Sequence, residues 1–96
     1  MFIYNKENKS VGKFNFIIYP DAVFIYNLYI YKQYRDNYYP LKLFYYLHNK
    51  YNKSIMLECK EHLLLYYMKL GFNIIETPEI SENNTYLLEL FNDSIK

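Results

Sequence analysis

The amino-acid sequence predicts an α+β fold in which a mixed, largely antiparallel sheet carries two helices. Most apolar runs are short, rich in β-branched and aromatic residues, and bounded by polar turns, which is typical of strands. Two later segments instead repeat their apolar residues at the spacing of a helix. With 96 residues, the chain is predicted to form a single domain over residues 1–96.

The first part of the chain predicts three strands. The apolar segment 2–4 and the apolar run 11–19 predict a hairpin, because the residues between them are polar. Pro20 and Asp21 predict the next turn. The run 23–31 is almost continuously apolar, and it predicts a central strand that is covered on both faces.

Two helices are predicted further along, near residues 40–51 and 62–70. The apolar stripe of the first comprises Leu41, Leu43, Phe44, Tyr45, Leu47 and His48. Pro40 fits its first turn, where the backbone N–H groups lack helical partners. In the second helix, Leu63, Tyr67 and Leu70 share one side, and Gly71 predicts the C-terminal cap. The helices are expected on the faces of the sheet.

The remaining strands are predicted at residues 54–59, 72–76 and 85–90, the last two joined by a polar loop. The order is therefore β-β-β-α-β-α-β-β. We expect the strands to lie in the sheet nearly in chain order, which leaves strand 85–90 at an open edge. Phe91 and Ile95 are four residues apart and are expected to form one helical turn.

Composition and charge bear on the partners and the compartment. The formal net charge of +1 does not favour nucleic acid as a partner, because phosphate binding depends on cationic charge. No segment is predicted to cross a membrane or to serve as a signal peptide. Cys59 is the single cysteine, so it forms no internal disulfide and a reduced, cytoplasmic location is expected.

Three stretches resemble motifs of the GNAT superfamily of N-acetyltransferases. Residues 10–12 (Ser-Val-Gly) are similar to the "iVG" that opens a strand in that family. Residues 27–30 (Asn-Leu-Tyr-Ile), with Tyr34 and Arg35, are similar to "nLyV…yR". Residues 67–72 (Tyr-Met-Lys-Leu-Gly-Phe) are similar to "YeklGF", the most specific of the three. The resemblance implies a GNAT-like fold that lacks the family's N-terminal strand and its first two helices.

The resemblance also implies a degenerate loop for the pyrophosphate of acyl-CoA. In the family, an Arg/Gln-x-x-Gly-x-Gly/Ala loop presents bare backbone N–H groups at a helix N-terminus. Here the loop spans residues 35–40, where a tyrosine and a proline replace the two small residues. Proline has no N–H to donate, so impaired CoA binding is expected. The implied cofactor-binding residues are Ile30, Arg35, Asn37, Tyr38, Tyr39 and Pro40.

The implied catalytic residues are Tyr67 and Glu58. Many family members use a tyrosine at the position of Tyr67 to protonate the leaving thiolate, but here it also fits a core aromatic. Glu58 could deprotonate an acceptor amine through water, or it could be a solvated strand carboxylate. Cys59 and His48 are interpreted as buried core residues, His48 with its hydrogen bonds satisfied. No metal-ligand set is evident.

Two functions remain open. The first is a protein-binding or regulatory module on a degenerate N-acetyltransferase scaffold, without a cofactor. The alternative is an active acetyl-CoA-dependent N-acetyltransferase acting on an amine of a protein or small molecule, in which a backbone N–H of the central strand polarises the thioester. Because two helices cannot cover a six-stranded sheet, exposed apolar surface is expected, and with it a protein partner or a homodimer.

Overall fold

In a computed structural model of the chain, residues 1–37 and 39–91 are described, with only the backbone of Asp36 and Asn37. The elements in chain order are β1 (Phe2–Tyr4), β2 (Ser10–Ile18), β3 (Ala22–Ile30), a 3₁₀ helix (Lys32–Asn37), α1 (Tyr39–Tyr51), β4 (Ser54–Cys59), α2 (Glu61–Lys69), β5 (Asn73–Glu76) and β6 (Tyr86–Leu90). The predicted order of strands and helices is confirmed. The polar segment after β3 forms the 3₁₀ helix.

All six strands form one sheet in the order β1-β2-β3-β4-β6-β5. The pair β3–β4 is parallel and the other pairs are antiparallel, which confirms the predicted mixed, largely antiparallel sheet. The last two strands exchange places relative to chain order, because β6 folds back and enters between β4 and β5. The predicted edge at residues 85–90 is therefore wrong, and the open edges of the sheet are β1 and β5.

Both helices pack on the same face of the sheet. Phe44 of α1 and Tyr67 of α2 both contact Phe72, with ring centroids 5.1 and 5.7 Å apart. The reason is the handedness of the crossovers. The β3-α1-β4 and β4-α2-β5 connections each join parallel strands and advance in the same direction, so right-handed crossovers place both helices on one side.

The core lies between the helices and this covered face. Its fully buried members include Val23, Ile25, Phe44, Leu47, Ile55 and Leu88. On α1 the predicted stripe is confirmed for Leu43, Phe44, Leu47 and His48, whereas Tyr45 is 43% exposed. On α2, Leu64 packs on the core rather than the predicted Leu63.

The opposite side of the sheet carries neither α1 nor α2, and we call it the uncovered face. Strand register places on it Lys13, Asn15, Ile17, Phe24, Tyr26, Tyr29, Met56, Glu58, Glu76, Leu87 and Glu89. Ile17, Tyr26 and Tyr29 are exposed, and Phe24, Met56 and Leu87 are half-buried. The prediction that β3 is covered on both faces is wrong, whereas the expected exposure of apolar surface is confirmed.

Two further predictions concern the end of α2 and the residues that follow β6. The cap at Gly71 is confirmed, because its φ of +108° ends α2 and its N–H donates to the Met68 carbonyl. The described residues end at Phe91, so the helical turn expected from Phe91 to Ile95 lies outside them. Within residues 1–37 and 39–91, no helix has the length and apolar character needed to span a membrane.

Candidate functional site

The parallel strands β3 and β4 separate halfway along their length. Their pairing runs from Ala22 opposite Ser54 to Ile25 opposite Leu57 and then stops. Beyond that point β3 contains an extra residue relative to β2, and Asn27 adopts a left-handed φ of 55°. Asparagine tolerates this conformation better than most residues. The resulting bulge directs the end of β3 away from β4 and opens a gap between them.

A hollow of about 400 Å³ lies beside this gap. Its lining comprises Ile17, Tyr19, Phe24, Ile25, Tyr26, Asn27, Glu58 and Asn83. Glu58 supplies the only carboxylate among these lining residues. The hollow thus combines an apolar wall with one anionic acceptor, a composition that suits an amine attached to an apolar group.

Glu58 is held in place by two side chains from the segment before β6. The Thr85 hydroxyl donates to its Oε2 at 2.6 Å, and Asn83 Nδ2 donates to the same oxygen at 3.2 Å and to Oε1 at 3.4 Å. Sequence reasoning missed both partners, because nothing in the local pattern indicates that the β5–β6 loop returns to β4. Glu58 is half-buried and bonded, not the freely solvated carboxylate of the alternative interpretation.

Tyr67 lies on the other side of the sheet from Glu58. It belongs to the core with Cys59, and its ring contacts Tyr66 and Phe72 edge to face at centroid distances of 5.2 and 5.7 Å. Burial, together with Tyr66 and Cys59, raises the pKa of Tyr67 to about 12. Tyr67 therefore packs as a core aromatic, the second of the two interpretations of this residue. The two predicted catalytic residues face opposite sides of the sheet and could share a substrate only through the β3–β4 gap.

The raised pKa of Tyr67 predicts a loss of stability in alkali. The folded chain keeps the phenol proton above pH 10, where the unfolded chain has lost it, so this contribution is present below about pH 10 and disappears as the pH rises towards 12. We expect the wild type to lose about 1 kcal/mol more than Tyr67→Phe between about pH 9 and pH 11. Urea unfolding of both proteins at each pH measures this, and parallel pH curves would contradict it.

The predicted cofactor loop is placed at the end of β3. Arg35 Nε donates to the Ile30 carbonyl at 2.9 Å, and its guanidinium lies 5.1 Å from the centroid of the Tyr29 ring. Asn37 ends the 3₁₀ helix, and Tyr38 lies outside the described residues. Arg35 is thus bound to the last residue of β3 and packs on the ring of Tyr29.

Tyr39 and Pro40 form the first turn of α1. Pro40 is buried, and the Tyr39 ring meets that of Tyr34 edge to face with centroids 6.1 Å apart. Tyr39 also lines a larger cavity of about 810 Å³ between β1 and α1, together with Leu43 and Tyr46. Sequence reasoning missed this cavity, because it depends on how far α1 covers the first two strands.

The remaining candidates are core residues. Cys59 is 5% exposed, as predicted, and burial raises the pKa of its thiol, which disfavours the reactive thiolate. His48 is buried as predicted. Its Nδ1 has no partner among the described residues.

The sheet order, the two helices on one face and the separated parallel strands define the fold class. The fold is similar to that of Ard1 from Thermoplasma volcanium, with a TM-score of 0.67 and 19% identity over 88% of this chain and 64% of that chain. It is also similar to a candidate acetyltransferase from Agrobacterium tumefaciens, with a TM-score of 0.65 and 16% identity over 94% of this chain and 69% of that chain. This is a GNAT-like fold.

The likeness lies in structure and not in detectable sequence similarity. No protein-family model and no curated protein matches the chain. The chain spans less than two thirds of the length of the Ard1 structure. The fold class is therefore established, and the activity depends on the site itself.

Proposed function

We propose that the chain is a protein-binding module on an N-acetyltransferase scaffold, with impaired binding of acyl-CoA. The uncovered face carries this proposal. Ile17, Tyr26 and Tyr29 are each at least 40% exposed there, and they are contiguous with three half-buried apolar side chains. An exposed apolar surface that spans neighbouring strands is typical of an association site, in which tyrosine is a favoured residue.

The residues of the cofactor loop support the second part of the proposal. An acyl-CoA pyrophosphate requires several free backbone N–H groups at a helix N-terminus. Here a 3₁₀ helix, Lys32–Asn37, occupies the segment before α1, and Pro40 in the first turn has no N–H. Arg35, the cation of this loop, already bonds the Ile30 carbonyl through Nε. These features support impaired binding of the cofactor.

Calorimetry with acetyl-CoA tests the proposal directly. We expect no measurable binding, or a dissociation constant in the millimolar range, because the loop offers too few donors. Acetyl-CoA is compared with S-acetylpantetheine, which carries the same thioester but lacks the pyrophosphate. Micromolar binding of acetyl-CoA that is weaker without the pyrophosphate would overturn the impaired-binding proposal.

An acetyl-CoA-dependent N-acetyltransferase is the second candidate. The gap between β3 and β4, with Glu58 beside it, favours this function. In this case Glu58 would accept a proton from the acceptor amine, and Tyr67, protonated below pH 12, would donate one to the leaving thiolate. Both roles require the substrate to pass through the gap, because the two side chains lie on opposite faces.

The second candidate makes a distinct prediction for Arg35. If acyl-CoA binds, Arg35→Ala is expected to weaken its binding about tenfold or more, which corresponds to the ~1.5 to 3 kcal/mol of a charged hydrogen bond. Lys32→Ala is the matched control, because it removes one exposed cation from the same 3₁₀ helix. Titration calorimetry measures both, and equal affinity in the two variants would exclude a specific role for Arg35.

A further inference from the structure

The two halves of the uncovered face carry opposite charges. Lys13 lies on β2, and the Arg35 guanidinium lies against Tyr29 at the end of β3. The acidic half comprises Glu58 on β4, Glu89 on β6 and Glu76 on β5. Cations thus flank the β1–β3 side of this face, and carboxylates flank the β4–β5 side.

The middle of the same face is apolar. Phe24 on β3 and Met56 on β4 are direct neighbours across the parallel pair. Ile17 is the cross-strand neighbour of Phe24, and Leu87 lies on the acidic side beyond β4. The face therefore has an apolar centre between a cationic half and an acidic half.

We infer that a second copy of this chain covers the uncovered face. Two sheets can pack face to face with their strands nearly aligned. A two-fold axis that runs parallel to the strands, between β3 and β4, places β3 of one copy over β4 of the other. Phe24 then lies over Met56 of the second copy, and each cationic half lies over an acidic half. This inference rests on the proposed function and names the protein that the module binds.

The area of the face sets the expected strength of the dimer. Six strands at their usual spacing, each contributing about five residues, give a face on the order of 500 Å² per copy. Stable complexes bury ~800 Å² per partner, so this dimer belongs to the weak, transient class. We expect dissociation in the micromolar range. Contact between the two copies would also close the hollow beside Glu58, which is consistent with a module that does not use an acceptor substrate.

Sedimentation equilibrium of charge-reversed variants tests the inference. The first variant is Lys13→Glu, and the second combines Glu76→Lys with Glu89→Lys. In either variant alone, like charges face each other, so the dissociation constant is expected to rise about tenfold or more. In an equimolar mixture, the two variants have complementary halves and are expected to form a heterodimer with affinity near that of the wild type.

Lys69→Glu serves as the matched control, because Lys69 is exposed on α2, on the other side of the sheet. It should leave dimerisation unchanged, and circular dichroism verifies that each variant is folded. A dimer that is indifferent to the reversals, or a mixture that stays monomeric, would overturn the two-fold arrangement and with it the inference.

A wild type that stays monomeric at every concentration would also overturn the inference. Binding of a dye specific for exposed apolar surface then shows whether the proposed function fails as well. A monomer that binds the dye leaves the protein-binding function standing, with a different protein as the occupant. A monomer that binds no dye contradicts both.

Discussion

Replacing Phe44 by alanine is expected to lower the free energy of unfolding by about 3 to 5 kcal/mol. Phe44 is fully buried in α1, where it faces the sheet, and its ring meets Phe72 edge to face at a centroid distance of 5.1 Å. The substitution removes most of the side chain from the centre of the core and leaves a cavity that the surrounding strands cannot fill. Small domains have a total stability of only about 5 to 15 kcal/mol, so a large part of it is lost.

Urea unfolding followed by circular dichroism measures this loss. Tyr46→Ala is the matched control, because it shortens an aromatic side chain of the same helix that is 54% exposed. It should cost less than about 1 kcal/mol, as expected for a surface position. A similar loss in the two variants would mean that α1 does not pack on the sheet through Phe44.

Gly12→Ala is expected to destabilise the chain by about 3 kcal/mol, because a Cβ atom has no room at this position. An added Cβ would lie 2.5 Å from the Tyr29 carbonyl oxygen and 3.1 Å from the Ile30 Cα. Both atoms belong to the backbone of β3, which cannot move aside without breaking its pairing with β2. Gly12 thus allows the two strands to approach closely beside the bulge in β3.

Lys13→Ala provides the control for Gly12→Ala, since it alters the next residue of β2, whose side chain is exposed. Urea unfolding compares the two variants, and amide exchange locates the change. We expect faster exchange at Tyr29 and Ile30 in Gly12→Ala. Equal stability of the two variants would show that the strands can separate at no cost.

The close approach at Gly12 also affects the candidate site. β3 is held by β2 up to Ile30, whereas its pairing with β4 ends at Ile25. The gap beside Glu58 therefore depends on β3 following β2 rather than β4. A variant that loosens the β2–β3 pairing is expected to alter the gap even though it touches no residue of the hollow.

Local patterns in the sequence determined the elements of this protein. Alternating and continuous apolar runs predicted the strands, because successive side chains in a strand point to opposite faces. Helical spacing located α1 and α2, and Gly71 marked the end of α2 because glycine adopts a positive φ at little cost. The motif-like stretches, with their order along the chain, were sufficient to indicate the GNAT-like fold.

Only the tertiary structure decided how the strands lie side by side. The insertion of β6 between β4 and β5 is a long-range choice, and neither strand carries a local signal for its neighbour. The continuous apolar run of β3 predicted cover on both faces. Both helices instead lie on one face, because two right-handed crossovers advance in the same direction.

The candidate site shows the same division between local and long-range information. Glu58 could be selected from the sequence as a carboxylate near a cleft, but its bonds to Asn83 and Thr85 join residues 25 and 27 positions apart. The bulge at Asn27 arises from the register of β2 against β3, and the sequence of one strand alone does not determine that register. Periodicity reports which way a side chain points, whereas pairing between distant segments determines what it meets.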